Sequence, residues 1–112
     1  MKYKIVLVPF PFDDLSAIKM RPAICLTNAI SAYHHVVIAF ITSQMQKANE
    51  LSDILIPNTD PGFPQTGLAI SSAIRLHRLV TIPISLIQRE LGVLPFNFQQ
   101  DVQQKLRLLF GL

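Results

Sequence analysis

Apolar residues in this chain come in short blocks for most of its length and then, near the end, in a helical stripe. Ile5 to Phe10 is continuous rather than alternating, which predicts a first strand buried on both faces. Ala23 to Thr27 and His35 to Thr42 read as a second and third strand, with Pro11 to Met20 as the loop before them. Asp53 to Ile56 predicts a short fourth strand closed by Pro57-Asn58, and Ser72 to Ile82 a long fifth. Asn58 to Gly67, carrying Pro61, Gly62 and Pro64, reads as an irregular crossing loop.

Residues 97–110 change period. Phe98, Val102, Leu106 and Leu109 fall on one helical face, with Gln99, Gln100, Gln103, Gln104 and Lys105 opposite. Asn97 is placed to cap that helix, with Gln100 three residues on as in a capping box. Ser85 to Leu91 suits either state; the expectation is a short helix ending at Gly92. Several short strands and one terminal helix imply a mainly β domain, a strongly curved sheet or half-open barrel with the helix across it.

Length confines this to one domain, residues 1–112. Half the residues are apolar and 15% are charged, so disorder is excluded and a core or a partner-facing surface must absorb the surplus. Residues 22–46 carry no formal charge, but Pro22, Asn28, Ser31, His34 and His35 argue against a membrane span. Pro9, Pro11 and Asp13-Asp14 break the one stretch resembling a signal peptide, so the expected location is cytoplasmic. The single Cys25 excludes an internal disulfide, and its apolar surroundings fit a small buried hydrophobe. Ten Lys and Arg against seven Asp and Glu give a net charge of +3, which suits an anionic ligand without a basic run to hold it. His34-His35 offers a metal two imidazoles but no neighbouring acid, and no metal or cofactor is expected.

Three segments hold the candidate chemistry. Val8-Pro9-Phe10-Pro11-Phe12-Asp13-Asp14-Leu15-Ser16 runs on into Arg21-Pro22-Ala23-Ile24; Ile41-Thr42-Ser43-Gln44 follows; Ser72-Ala73-Ile74-Arg75-Leu76-His77-Arg78-Leu79-Val80-Thr81-Ile82 is third. In this order and spacing, from about Ile5 to Phe110, they resemble the MazF/PemK family, the toxin halves of bacterial toxin–antitoxin pairs. The resemblance implies an SH3-like barrel, a homodimer, a cognate antitoxin as partner, and a metal-independent endoribonuclease. Such enzymes cut single-stranded RNA, usually mRNA, by attack of a 2′-hydroxyl on the adjacent phosphate.

A guanidinium is a permanently charged planar fork, suited to the equatorial oxygens of a phosphate in transphosphorylation. Arg21 is the residue the resemblance assigns to that task; the alternative is a surface arginine paired with Asp13 or Asp14. Pro22 pushes Arg21 to extended backbone, placing it at a strand entrance. Thr42 matches the family's hydroxyl at the end of the third strand, with Ser43 beside it, although a strand threonine also serves simply as a β-branched filler. Arg75 and His77 share a strand face, being two apart, with Arg75 expected to bind RNA backbone, and Arg78 points to the other face as a solvated charge. PemK-like members carry an arginine and an aspartate where this chain has Arg75 and His77. A histidine is a competent acid or base near neutral pH, or a lone surface imidazole.

Two further departures bear on activity. Tyr3-Lys4 stands where many members have glycine and an acid, and Ser16 to Met20 lacks the glutamate or histidine some members use. The general base is thus open among Asp14, Lys19 and His77. Phe96, Phe98, Leu108 and Phe110 are the expected partner contacts, with the monomer core an equal alternative for Phe98. Two other readings are a catalytically impaired member or a CcdB-type toxin that wedges into gyrase. The chain ends Phe110-Gly111-Leu112, without the tryptophan that the latter leads one to expect.

Overall fold

The computed structural model describes residues 1–10 and 19–112. Six strands form one antiparallel sheet in the order β4-β5-β3-β2-β1-β6. They are β1 Lys4–Phe10, β2 Lys19–Cys25, β3 His35–Thr42, β4 Asp53–Ile56, β5 Ser72–Pro83 and β6 Arg89–Val93. A four-residue helix α1, Phe63–Thr66, lies between β4 and β5, and α2, Phe96–Phe110, ends the fold. The sheet curls into a half-barrel, as the sequence pattern and the family resemblance imply.

Each face of the sheet buries its own apolar cluster, which is why the inner strands read as unbroken apolar runs. Ile5, Ile24, Ala39, Ile41, Ile74 and Leu76 pack with Phe98 and Val102 of α2. Val6, Val8, Ala23, Cys25, Val36, Ile38 and Phe40 fill the other face. No helix is long and apolar enough to cross a membrane among the described residues.

The larger departures from the expected boundaries each have a tertiary reason. Strand β2 begins at Lys19, inside the expected loop, because Phe10 and Pro9 of β1 offer it a ladder to pair with. It stops at Cys25 rather than Thr27, since Thr27 turns its hydroxyl to accept the Val37 N–H at 3.2 Å. The expected helix at Ser85–Leu91 is instead a single 3-10 turn, Ile84–Leu86, followed by β6 on the free edge of β1. Gly92 is therefore no helix cap: it faces Ile5, and a Cβ there would lie 2.2 Å from the Gln65 carbonyl oxygen. Helix α2 starts at Phe96, two residues earlier than an Asn97 cap allows. Pro95, with φ fixed at −58°, is its N-cap, and its carbonyl accepts the Phe98 and Gln99 N–H groups. Within the expected irregular loop, Asp60 accepts the Gly62 N–H at 2.8 Å, and α1 forms one turn that ends at Gly67 in the left-handed region.

Candidate active site between the second and third strands

The site arises where two strands stop pairing. β2 and β3 are in register through Cys25↔Ile38, Ile24↔Ala39 and Ala23↔Phe40, and there the ladder ends. One step further would join Pro22 to Ile41, and two steps Arg21 to Thr42. Pro22 has no N–H to donate, so its absence from the β3 ladder leaves no donor unpaired on that edge. β2 stays paired to β1 through Val8↔Arg21, and β3 to β5 through Thr42↔Ala73. The strands part, and a cleft of about 190 Å³ opens with Arg21 on one wall and Thr42 on the other. Arg21 thus lies within a strand rather than at its entrance.

Arg21 is half-buried, and its Nε is fully buried with no hydrogen-bond partner among the described residues. Its guanidinium carbon lies 5.2 Å from the centroid of the Phe10 ring. Phe10 meets Phe40 edge-on at 4.7 Å, so the ring that carries the guanidinium is itself braced. Thr42 Oγ1 accepts the Gln44 N–H at 3.1 Å, which fixes the oxygen and leaves the hydroxyl hydrogen to donate. Gln44, Lys47, Arg75 and Arg78 complete the polar lining. Ser43 turns to a second cavity of about 280 Å³, lined also by Met20, Pro22, Leu68 and Ile70. Arg21 and Ile41 line both spaces and form the partition between them.

Arg75 reaches the cleft already committed. Its Nε donates to Asp53 Oδ1 at 2.8 Å, and the Asp53 side chain is 2% exposed. Asp53 faces Arg75 directly across the β4–β5 ladder, and its other oxygen accepts the Glu50 N–H at 3.0 Å. His77 belongs to this group: Nε2 is 3.4 Å from Arg75 Nη2 and Nδ1 is 3.8 Å from Asp53 Oδ1. His77 is exposed and lines neither cavity. Lys19 is exposed at the start of β2 and also lines neither. Asp14, with Asp13, lies outside the described residues.

The assignment of Arg78 to the opposite face is overturned. Leu76 and Leu79 both pack on the α2 side of the sheet, so the alternation slips between them. Ile74 faces Ile41 and Leu79 faces Ala39, which leaves a bulge in β5 opposite Phe40. Arg78 is thereby swung to the cleft, its guanidinium carbon 5.6 Å from the Phe10 centroid. Asp53, Phe10 and Lys47 are the other site residues to which sequence reasoning gave no role. The signal for Asp53 was present: it is the only charged residue of an apolar strand, and a buried acid requires a partner.

Two remaining candidates sort simply. Burial pushes the Cys25 thiol from 9.0 up to about 11, so it stays protonated and unreactive. Among the described residues no three His, Cys, Asp or Glu side chains converge, and His35 instead lies against Tyr33 at 6.2 Å between ring centroids.

The fold is found elsewhere. The chain superposes on the Mycobacterium tuberculosis toxin MazF-mt6 with a TM-score of 0.72 at 20% identity, covering 97% of each chain. It also superposes on an endoribonuclease in complex with its cognate antitoxin from a mycobacterial species, with a TM-score of 0.71 at 11% identity. That match covers 100% of this chain and 93% of the other. No protein of curated function matches it by sequence. The family model described as PemK-like, MazF-like toxin of type II toxin–antitoxin systems matches residues 1–110. The chain therefore belongs to the PemK-like, MazF-like toxins of type II toxin–antitoxin systems.

Proposed function

We propose that the cleft between β2 and β3 is where this toxin cleaves single-stranded RNA, mRNA in the cell, with Arg21 and Thr42 acting on the scissile phosphate. As a member of its family the protein is the toxin half of a pair and an endoribonuclease; the site and its mechanism are our reading. The observation that carries it is the buried Arg21 Nε, unpartnered among the described residues and set across a gap from a fixed hydroxyl. An unsatisfied buried guanidinium donor is costly to leave, and a phosphate oxygen satisfies it.

The 2′-oxygen attacks phosphorus, the bond to the 5′-oxygen breaks, and the products are a cyclic phosphate and a free 5′-hydroxyl. Arg21 stabilises the charge that grows on the equatorial oxygens. Thr42 donates its hydroxyl hydrogen to the phosphate and holds it in line. The proton leaving the 2′-hydroxyl needs a base. Of Asp14, Lys19 and His77, our choice is His77, whose Nε2 lies 3.4 Å from Nη2 of Arg75 in the cleft lining. None of these steps calls for a metal ion.

We further propose that the protein acts as a cytoplasmic homodimer that its antitoxin silences. Phe96, Leu108 and Phe110 support this, being 71%, 74% and 59% exposed, a large apolar outlay for solvent. Phe98, expected among these contacts, is core at 6%. The test is cleavage of a single-stranded RNA by wild type and by Arg21→Ala, with and without a chelator. Loss of at least a hundredfold in a folded variant is expected. Undiminished cleavage by that variant refutes the site, and cleavage abolished by the chelator refutes the metal-free mechanism.

A further inference from the structure

We infer that Arg78 is a second phosphate ligand of the cleft, contacting a backbone phosphate next to the scissile one. This rests on the RNA-cleaving reading above. The sheet has to depart from its regular alternation to put Arg78 there, since the slip between Leu76 and Leu79 is what turns it towards Phe10. One aromatic ring then carries two guanidinium carbons, Arg21 at 5.2 Å and Arg78 at 5.6 Å. Their separation cannot exceed the two distances laid end to end, a span that neighbouring phosphates of one RNA strand can bridge.

Charge accounting points the same way. Arg75 is neutralised by Asp53 at 2.8 Å. Among the described residues, neither Arg21, Arg78 nor Lys47 has an ion-pair partner, yet all three line the same cleft. Three cations held together with no carboxylate among the described residues repel one another, and an anion of more than one charge relieves that repulsion better than a single phosphate. Arg21 is half-buried and Arg78 exposed, so the strand would pass from the buried cation at the reacting phosphate to the outer one beside it. Arg75, despite lining the cleft, has less charge to offer the backbone than Arg78.

The experiment separates this inference from the reading it rests on. Binding of an octanucleotide with every 2′-hydroxyl methylated, which cannot be cut, is measured against salt concentration for wild type, Arg78→Ala, Arg78→Lys and Arg107→Ala. Each single-strand phosphate contact contributes about 0.7 to the slope of log K against log salt. Arg78→Ala should lower the slope by about that amount, while Arg78→Lys and Arg107→Ala, the latter on the exposed face of α2, keep it. In cleavage, Arg78→Ala should raise KM about tenfold with kcat little changed on an octanucleotide. On a dinucleotide, which has one phosphate, it should change neither. An unchanged slope in Arg78→Ala, or an equal loss on the dinucleotide, overturns the inference alone. A wild type that binds no RNA overturns the inference and the reading together.

Discussion

Removing one partner of the Asp53–Arg75 pair should destabilise the fold by an amount that depends on which partner goes. The two charges are unequally placed: the Asp53 side chain is 2% exposed and that of Arg75 is 16%. Breaking a buried pair costs about 3–5 kcal/mol, because one charge is left in a poor solvent without its counter-ion. Arg75→Met strands the deeper charge, left with the Glu50 N–H and, 3.8 Å away, the His77 ring, so its cost belongs near the upper end. Asp53→Leu strands a guanidinium that water can reach, and its cost belongs near the lower end. It also leaves the Glu50 N–H without its acceptor, which adds about 1 kcal/mol or more.

With both changes together no charge is stranded, and the protein should lose only about 1–2 kcal/mol, chiefly that orphaned N–H. Urea unfolding of the four proteins gives the cycle directly. Since 1 kcal/mol moves the Tm of a domain near this size by about 4–8 °C, each single variant should melt at least 12 °C below wild type. The double variant should recover most of that difference. Singles within about 1 kcal/mol of wild type, or a double equal to the sum of the singles, would refute the account of Arg75 as a neutralised cation.

Thr42→Ala should lose about 1 kcal/mol with the Gln44 N–H bond and cleave RNA at least a hundredfold more slowly, while Thr42→Ser keeps both; equal rates for the two variants, by gel assay, would remove Thr42 from the mechanism. Cys25 should resist alkylation at pH 8 until urea unfolds the chain, and rapid labelling of the native protein would contradict its burial. The folded thiol titrates at about 11 and the unfolded one at 9.0, so between those values the native state holds more protons. That contribution to stability is complete below pH 9 and falls by about 2–3 kcal/mol as pH rises to 11. The slope should be absent from Cys25→Ala when the two are compared by urea unfolding. Leu108→Glu should turn the proposed homodimer into a monomer in light scattering without lowering its Tm, since that side chain is 74% exposed; an unchanged mass would overturn the proposed interface on α2.

The elements that could be read from the sequence are those whose own residues are buried. β1, β3, β4 and β5 are apolar blocks, because each is covered by one or both cores. β6 is Arg-Glu-Leu-Gly-Val, with neither alternation nor β-branching enough to announce a strand; the unfilled edge of β1 makes it one. The outer half of β2, Lys19-Met20-Arg21, is similar, paired to β1 but free of β3. The helix of residues 97–110 showed its face through Phe98 and Val102, but its start is set by Pro95 outside the periodic stretch.

The site divides along the same line. Arg21 and Thr42 could be named because the order of the motifs resembles a family, whereas their opposition follows from a register, Ala23↔Phe40, that no local pattern encodes. Arg78 was misplaced by the very rule that placed Arg75 and His77 correctly, since period-two reasoning holds only until a bulge. The consequence is more than an exchange of two arginines. A cation that looked free is bound to Asp53, and one that looked solvated faces the cleft. What distinguishes a ligand arginine from a structural one here is therefore not its strand or its spacing but whether a carboxylate has already claimed it. By that criterion Arg21 has the stronger claim to the scissile phosphate: its Nε is buried, and no acceptor within the described residues competes with the substrate.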